Sequence, residues 1–247
     1  MHGFWKLTWT EIKLFLREPM AAFFTLAFPL MMLFLFGSIY GNEPTPFFGG
    51  YGSVDVSVPA YTAMIIATGG LLSITITLAS YREKRILRRL KATPLRPQAV
   101  LGAHVMVVFL MTVLGMVLLV VAAKLVYGLR FNGNPFDVVL AFLLSSLSFF
   151  ALGFVIAGLM PTARSAQAVS MVIFYPMLFL SGAAIPREVL PETIRQVAQF
   201  LPLTHVVSLL RGLWVGDSWE KYLLEVTVLS LMLILCLVVS SKTFRWE

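Results

Sequence analysis

The chain has 247 residues, 59% of them hydrophobic and only 13% charged, with a net charge of +7. Soluble domains carry roughly 25% charged residues, so an ordinary soluble protein is excluded and several bilayer crossings are implied. The positive charge is gathered in a few segments, which argues against a nucleic-acid surface, and the lone Cys236 rules out an internal disulfide framework and a cysteine-based metal site.

Residues 4–18 come first. Trp5, Trp9, Ile12 and Leu16 recur at spacings of four, three and four, while Lys6, Lys13 and Arg17 gather on another face. Interfacial tryptophans on one side and cations on the other predict an amphipathic helix lying in the membrane plane. Pro19 closes it. The first long apolar run starts near Met20 without a small-residue cleavage site before its flank, so no cleaved signal peptide is expected.

Six apolar runs follow, each long enough to span: 20–40, 58–80, 99–123, 138–160, 165–185 and 222–241. Pro29 predicts a kink in the first and Tyr175-Pro176 a kink or break in the fifth. The second holds Thr62, Thr68, Ser73, Thr75 and Thr77 around Gly69-Gly70. Those hydroxyls either line a polar route or bond to neighbouring helices and their own backbone. Gly153 and Gly158 stand five apart, off the GxxxG register, and are weak evidence for a contact face. Spans four and five are joined by only Pro161-Thr162-Ala163-Arg164, a tight hairpin.

Between spans two and three lies Tyr81-Arg82-Glu83-Lys84-Arg85-Ile86-Leu87-Arg88-Arg89-Leu90-Lys91-Ala92-Thr93-Pro94. As a helix it places Ile86, Leu87 and Leu90 on one edge. Lys84/Arg88 and Arg85/Arg89 are like charges four apart, which repel. Such a segment needs negative charge from outside itself, from anionic headgroups or from an acidic cytoplasmic partner. Thr93-Pro94 ends it.

Residues 186–214 read as short helices resting on or dipping into the outer leaflet. Pro191 and Glu192 suit a helix start, and Leu203–Leu210 is apolar but too short to span. Lys and Arg counts set the orientation. With the N-terminus inside, 13 basic residues fall on inner segments and 6 on outer ones. The expected topology is therefore N-in and C-in, with 81–97 cytoplasmic.

Few residues suggest chemistry. His104, without an acidic neighbour, and His205 are read as structural. Ser181 sits in Leu180-Ser181-Gly182-Ala183, which is no GxSxG elbow. Glu225, about one turn inside span six, is expected to pair with Lys221 or meet water. No convergent catalytic set emerges, no catalytic or metal-ligating residue is assigned, and there is no GxxxxGK[ST] phosphate cradle.

The order of these parts resembles a known family. The basic motif Glu83-Lys84-Arg85-Ile86-Leu87-Arg88-Arg89-Leu90-Lys91-Ala92-Thr93-Pro94-Leu95 is followed by Ser181-Gly182, Pro186, Leu190-Pro191, Leu201-Pro202-Leu203-Thr204 and Arg211. An in-plane helix, six spans and these two motifs in order look like the membrane-spanning permease of a type-2 ABC exporter, in the drug-export branch. The resemblance covers nearly the whole chain. It departs at Ile86, where relatives often have glycine followed by threonine, which leaves the start of the helix open.

The resemblance implies an all-α integral membrane fold in which 82–93 is the coupling helix, seated in a cleft of a separate ATPase subunit. Glu83, Arg85, Arg88 and Arg89 would make polar contacts there, and Leu87 and Leu90 would pack. It implies two ATPase subunits, a second permease chain (identical or a paralogue) and ATP with Mg on the ATPase, with no cofactor on this chain. The route would run between the two membrane chains along spans one, two and five, with Phe24, Phe28, Thr68, Ser73, Thr75 and Tyr175 as candidate lining. Membrane lipid is the surrounding partner, nucleic acid is not one, and a bacterial inner membrane is the expected location. A different class of function stays open: a non-transporting assembly protein that recruits a cytoplasmic partner through the basic helix.

Overall fold

The computed structural model describes residues 9, 12, 13, 15, 19–86, 97–185 and 190–243. Among them the chain is helical without a strand, and six helices are long and apolar enough to cross a membrane.

Helix α1 covers 19–40, with Phe23–Ala27 wound as a π-helical turn. Pro29 has no N–H to offer the Thr25 carbonyl four residues back, and the wider turn ahead of it absorbs the misfit. The irregularity expected at Pro29 therefore falls one turn earlier. Gly115 of the neighbouring α3 lies against that carbonyl: a Cβ there would stand 2.8 Å from the Thr25 oxygen.

Helix α2 covers 53–83, beyond the expected 58–80 at both ends. Its start is set by Asp55, whose carboxylate accepts the Gly52 N–H at 3.2 Å. An acid in the first turn also suits the helix dipole. The middle of α2, Thr68–Ile74, is again a π-helical stretch. Here Gly70 meets α4 so closely that a Cβ would lie 2.4 Å from the Phe149 carbonyl oxygen, and one on Gly153 would lie 2.2 Å from the Gly70 oxygen. Gly153 is thus on a contact face after all. Of the apolar window of α2, 94% of residues are buried, against 11% in the last span, so α2 is the axis of the molecule.

Around it stand α3 (Pro97–Tyr127), α4 (Pro135–Leu159), α5 (Ala163–Leu180) and α8 (Leu223–Thr243). Asn134 caps α4 by accepting the Phe136 N–H at 3.0 Å, with Pro135 in the first turn. Thr162 caps α5 by accepting the Ser165 N–H at 3.1 Å. α5 stops short of the expected Ile185, because the chain turns at Ser181 and Gly182 has φ of +91°.

Two shorter helices follow, α6 (Glu192–Ala198) and α7 (Pro202–Val215). α6 begins after Pro191, as expected. α7 packs on α2, α4 and α8, and Leu203, Val206, Leu210 and Leu213 are all buried. Fourteen residues cannot cross a bilayer, but their apolar side fills the bundle at one end.

Candidate coupling and translocation sites

The ends of α2, α4 and α5 meet where the basic loop begins. Arg82 Nη1 donates to the carbonyl oxygens of Ala157, of Gly158 at 2.9 Å and of Met160 at 3.3 Å. These are among the last carbonyls of α4, which have no partner within their own helix. The next side chain has the opposite polarity. Glu83 Oε2 accepts the N–H of Ala163, the first residue of α5, at 2.8 Å. A cation on a helix C-terminus and an anion on a helix N-terminus each gain about 0.3–1 kcal/mol at exposed sites. Neighbouring residues of α2 thus hold both sides of the α4–α5 turn.

The separate helix expected from Arg82 onward does not begin there. Arg82 and Glu83 belong to α2, and the helix is interrupted at Lys84-Arg85, where Arg85 is exposed with a left-handed φ of 53°. Leu87, Arg88, Arg89 and Leu90 lie outside the described residues, as do Trp5 and Leu16. Trp9 is 60% exposed, with Lys13 Nζ 5.5 Å from its ring centroid, a cation–π arrangement. The inward contact of this segment is made by Phe15, buried against Val107 and Met111 of α3 with Ile12 alongside. Phe15 follows Ile12 by three, a helical spacing that the tryptophan pattern obscured.

Of the candidate route residues, the structure brings three together. Phe24 and Phe28 of α1 have ring centroids 5.2 Å apart. Phe24 stands 6.3 Å from Phe174 of α5, which stands 5.7 Å from Tyr175. Tyr175 and Phe179 remain partly exposed, so this aromatic seam reaches the outer face shared by α1 and α5. Thr68, Ser73 and Thr75 are enclosed within the chain instead. Thr68 Oγ1 donates to the Met64 carbonyl at 2.9 Å, and Thr75 Oγ1 lies 3.1 Å and 3.2 Å from the Gly70 and Gly153 carbonyl oxygens. Ser73 and Thr77 on α2, Ser145 and Ser146 on α4, and Ser170 on α5 have buried hydroxyls with no partner among the described residues.

The opposite end is tied by a polar knot that sequence reasoning missed. Asp55 accepts from Asn42 Nδ2 at 3.0 Å and the Arg130 N–H at 2.9 Å, and forms an ion pair with Arg130 Nε at 3.4 Å. Asn42 Oδ1 accepts the N–H groups of Val54 and Asp55, both at 3.1 Å. Trp214 Nε1 donates to the Arg130 carbonyl at 3.3 Å. The loop after α1, the start of α2, the α3–α4 loop and the end of α7 are joined in this way. Asp55 precedes the expected second span, 58–80, and no role is assigned to it from the sequence.

Lys221 pairs with Asp217, so of the two expectations for Glu225 the pairing with Lys221 is not the one found, and Tyr222 donates to the other Asp217 oxygen at 2.8 Å. The turn at Gly216, with φ of +98°, brings Asp217 back over the helix start. The Lys221 ammonium first, then the Tyr222 hydroxyl, hold the Asp217 carboxyl below the usual carboxylate range. His104 is buried with its ring edge-on to Tyr81, centroids 6.2 Å apart, and His205 is buried in α7.

Residues 2–214 match the family described as ABC-2 type transporter. Nodulation protein J of Neorhizobium galegae is 26% identical over 245 residues, covering 97% of this chain and 89% of that protein. Daunorubicin resistance ABC transporter permease protein DrrB1 of Streptomyces coeruleorubidus is 26% identical over 200 residues, 79% of this chain and 68% of the relative. Nodulation protein J of Rhizobium leguminosarum bv. viciae is 33% identical over 102 residues, a match that spans 41% of this chain and 39% of that relative's length. With the family model matched over most of its length and six apolar helices in one bundle, the chain belongs to the ABC-2 type transporter family, as a multi-pass permease subunit of the inner membrane.

Proposed function

We propose that this chain is half of the translocation unit of an ATP-driven exporter for a hydrophobic or amphipathic cargo, working with a second permease chain and a separate ATPase. The carrying observation is the grip of Arg82 and Glu83 on the α4–α5 turn. The basic loop is the docking place for the ATPase, with Leu87 and Leu90 seated in it and Arg88 and Arg89 on its acidic rim. Two ATPase subunits, holding ATP and Mg, serve two permease chains. Their closure displaces the loop, and the displacement passes to the end of α2. Because Arg82 and Glu83 bind both neighbours there, α4 and α5 follow as packed units.

The α1–α5 face, with Phe24, Phe28 and Tyr175, forms the wall toward the second chain, and an apolar or amphipathic cargo passes along it. The unpartnered hydroxyls of Ser73, Thr77, Ser145, Ser146 and Ser170 support a second arrangement of the bundle. Each buried hydroxyl left unbonded costs about 1–3 kcal/mol, and a shifted α2, α4 and α5 would offer them water or new partners. One relative is named a daunorubicin resistance ABC transporter permease protein, which supports a drug-like cargo here.

The test is co-purification and transport in reconstituted vesicles. Leu87→Asp is expected to lose the ATPase from the complex. Arg82→Ala is expected to keep the ATPase bound while transport of an amphipathic probe falls on the order of tenfold, the effect of losing about 1.4 kcal/mol of coupling. If no P-loop ATPase accompanies the parent chain, the chain is a recruiting protein of another kind and the transport reading fails.

A further inference from the structure

The α3–α4 side of the bundle carries a groove of about 540 Å³ that the transport reading does not use. It is lined by Met116, Val120 and Lys124 of α3, Val138 of α4, Phe131 of the connecting loop and Trp214 of α7. Met116, Val120 and Lys124 follow one another at intervals of four, so they form a single row along about 12 Å of helix. The row is apolar over its first two members and cationic at its third. Trp214, which is buried, closes the deep side, and Phe131 meets it edge-to-face with ring centroids 4.8 Å apart.

The flanks identify what lies outside. Val117, Val121 and Leu125 on α3 and Phe136 and Val139 on α4 are between 48% and 80% exposed. The groove therefore opens into the apolar belt that faces the hydrocarbon. Its charge is unspent. Arg130 nearby is engaged by Asp55, but Lys124 takes no part in the ion pairs found among the described residues. A lone ammonium at the membrane-facing end of an apolar slot complements a molecule with an apolar tail and an anionic head.

We infer that this groove is a binding site for one anionic glycerophospholipid, with an acyl chain along Met116, Val120 and Val138 and its phosphate on Lys124. The site lies at the end opposite the basic loop, in the outer leaflet if the charge bias sets the orientation. Drawn from the leaflet, the lipid wedges α3 against α4 on the flank away from the α1–α5 face.

Native mass spectrometry of the purified chain in detergent tests this, with dioleoyl phosphatidylglycerol and dioleoyl phosphatidylcholine titrated separately. One tightly held phosphatidylglycerol per chain is expected. Lys124→Gln, a surface change that spares the fold, should weaken it about fivefold, the share of one basic residue, and leave phosphatidylcholine unchanged. Lys124→Arg should keep the preference, and Val120→Trp should fill the slot and remove the tight copy. Equal retention of phosphatidylglycerol by the parent and by Lys124→Gln would overturn the proposal. So would displacement by inorganic phosphate alone, or loss of the lipid whenever two chains associate, which would make the groove an interface between copies. The assay needs neither an ATPase nor transport, so its failure leaves the exporter reading untouched.

Discussion

At Gly153 the missing side chain is what lets α4 touch α2, since a Cβ would stand 2.2 Å from the Gly70 carbonyl oxygen. The neighbour is backbone and cannot swing aside. Gly153→Ala should therefore destabilise the purified protein by about 2–3 kcal/mol, the upper part of the overpacking range, read as a lower thermal midpoint in detergent. Gly102, on α3, has open space around it, and Gly102→Ala should raise the midpoint slightly through helix propensity. Asp217 supplies a test by pH. Its carboxyl is held below the usual range by Lys221 and Tyr222, so its stabilisation is complete above the ordinary aspartate pKa of about 3.9. It is lost only as pH falls through the depressed value. Protection from hydrogen exchange across 217–222, taken relative to each amide's intrinsic rate, should hold from pH 7 down to the ordinary range and fall below it. Asp217→Asn should be less protected above that range and lose the dependence.

At the scale of elements, the ends of helices decide more than their middles. α4 and α5 expose carbonyls and N–H groups at the same turn, and α2 answers both with Arg82 and Glu83. Deleting one partner should loosen only that turn. Arg82→Ala or Glu83→Ala is expected to speed hydrogen exchange at 157–166 at least several-fold while the far end stays protected, because packing along α4 and α5 is unchanged. At that far end Asp55 ties together the loop after α1, the start of α2 and the α3–α4 loop. Asp55→Ala leaves the Arg130 N–H without its acceptor, while Asn42 Nδ2 keeps the Tyr127 carbonyl and the Arg130 guanidinium keeps the Asn42 carbonyl; it should cost about 1–3 kcal/mol, seen as loss of folded protein on extraction.

Over the whole molecule, charge and burial run along different axes. Basic residues concentrate in the sequence segments expected on one side of the membrane, and burial concentrates on α2. The first sets orientation; the second makes α2 the member against which α1, α3, α4, α5 and α7 all pack. A C-terminal fluorescent fusion should report a cytoplasmic terminus, and a periplasmic phosphatase fusion at the same place should stay inactive. The reverse result would turn the basic loop outward and remove the ATPase docking site with it.

The spans were legible because a bilayer demands long apolar runs, and the helix start at Glu192 because a proline acts locally, whereas α4 and α5 begin at Pro135 and Ala163, ahead of the expected 138 and 165. The all-helical class and the family motif came from the same one-dimensional signals. What stayed hidden depends on partners far along the chain. Asp55 had no assigned role until Asn42 and Arg130 were found against it. Glu83 looked like a free contact for a partner until the first turn of α5 was found against it, and Lys221 chose Asp217 over Glu225 because the chain doubles back at Gly216. Thr68 and Thr75 were ambiguous between route and backbone until their acceptors were known. Periodicity and hydropathy determine which segments enter the membrane. Which polar group answers which is settled only when the folded bundle brings distant orphan donors and acceptors within hydrogen-bond reach, since each must find a protein partner where water is absent.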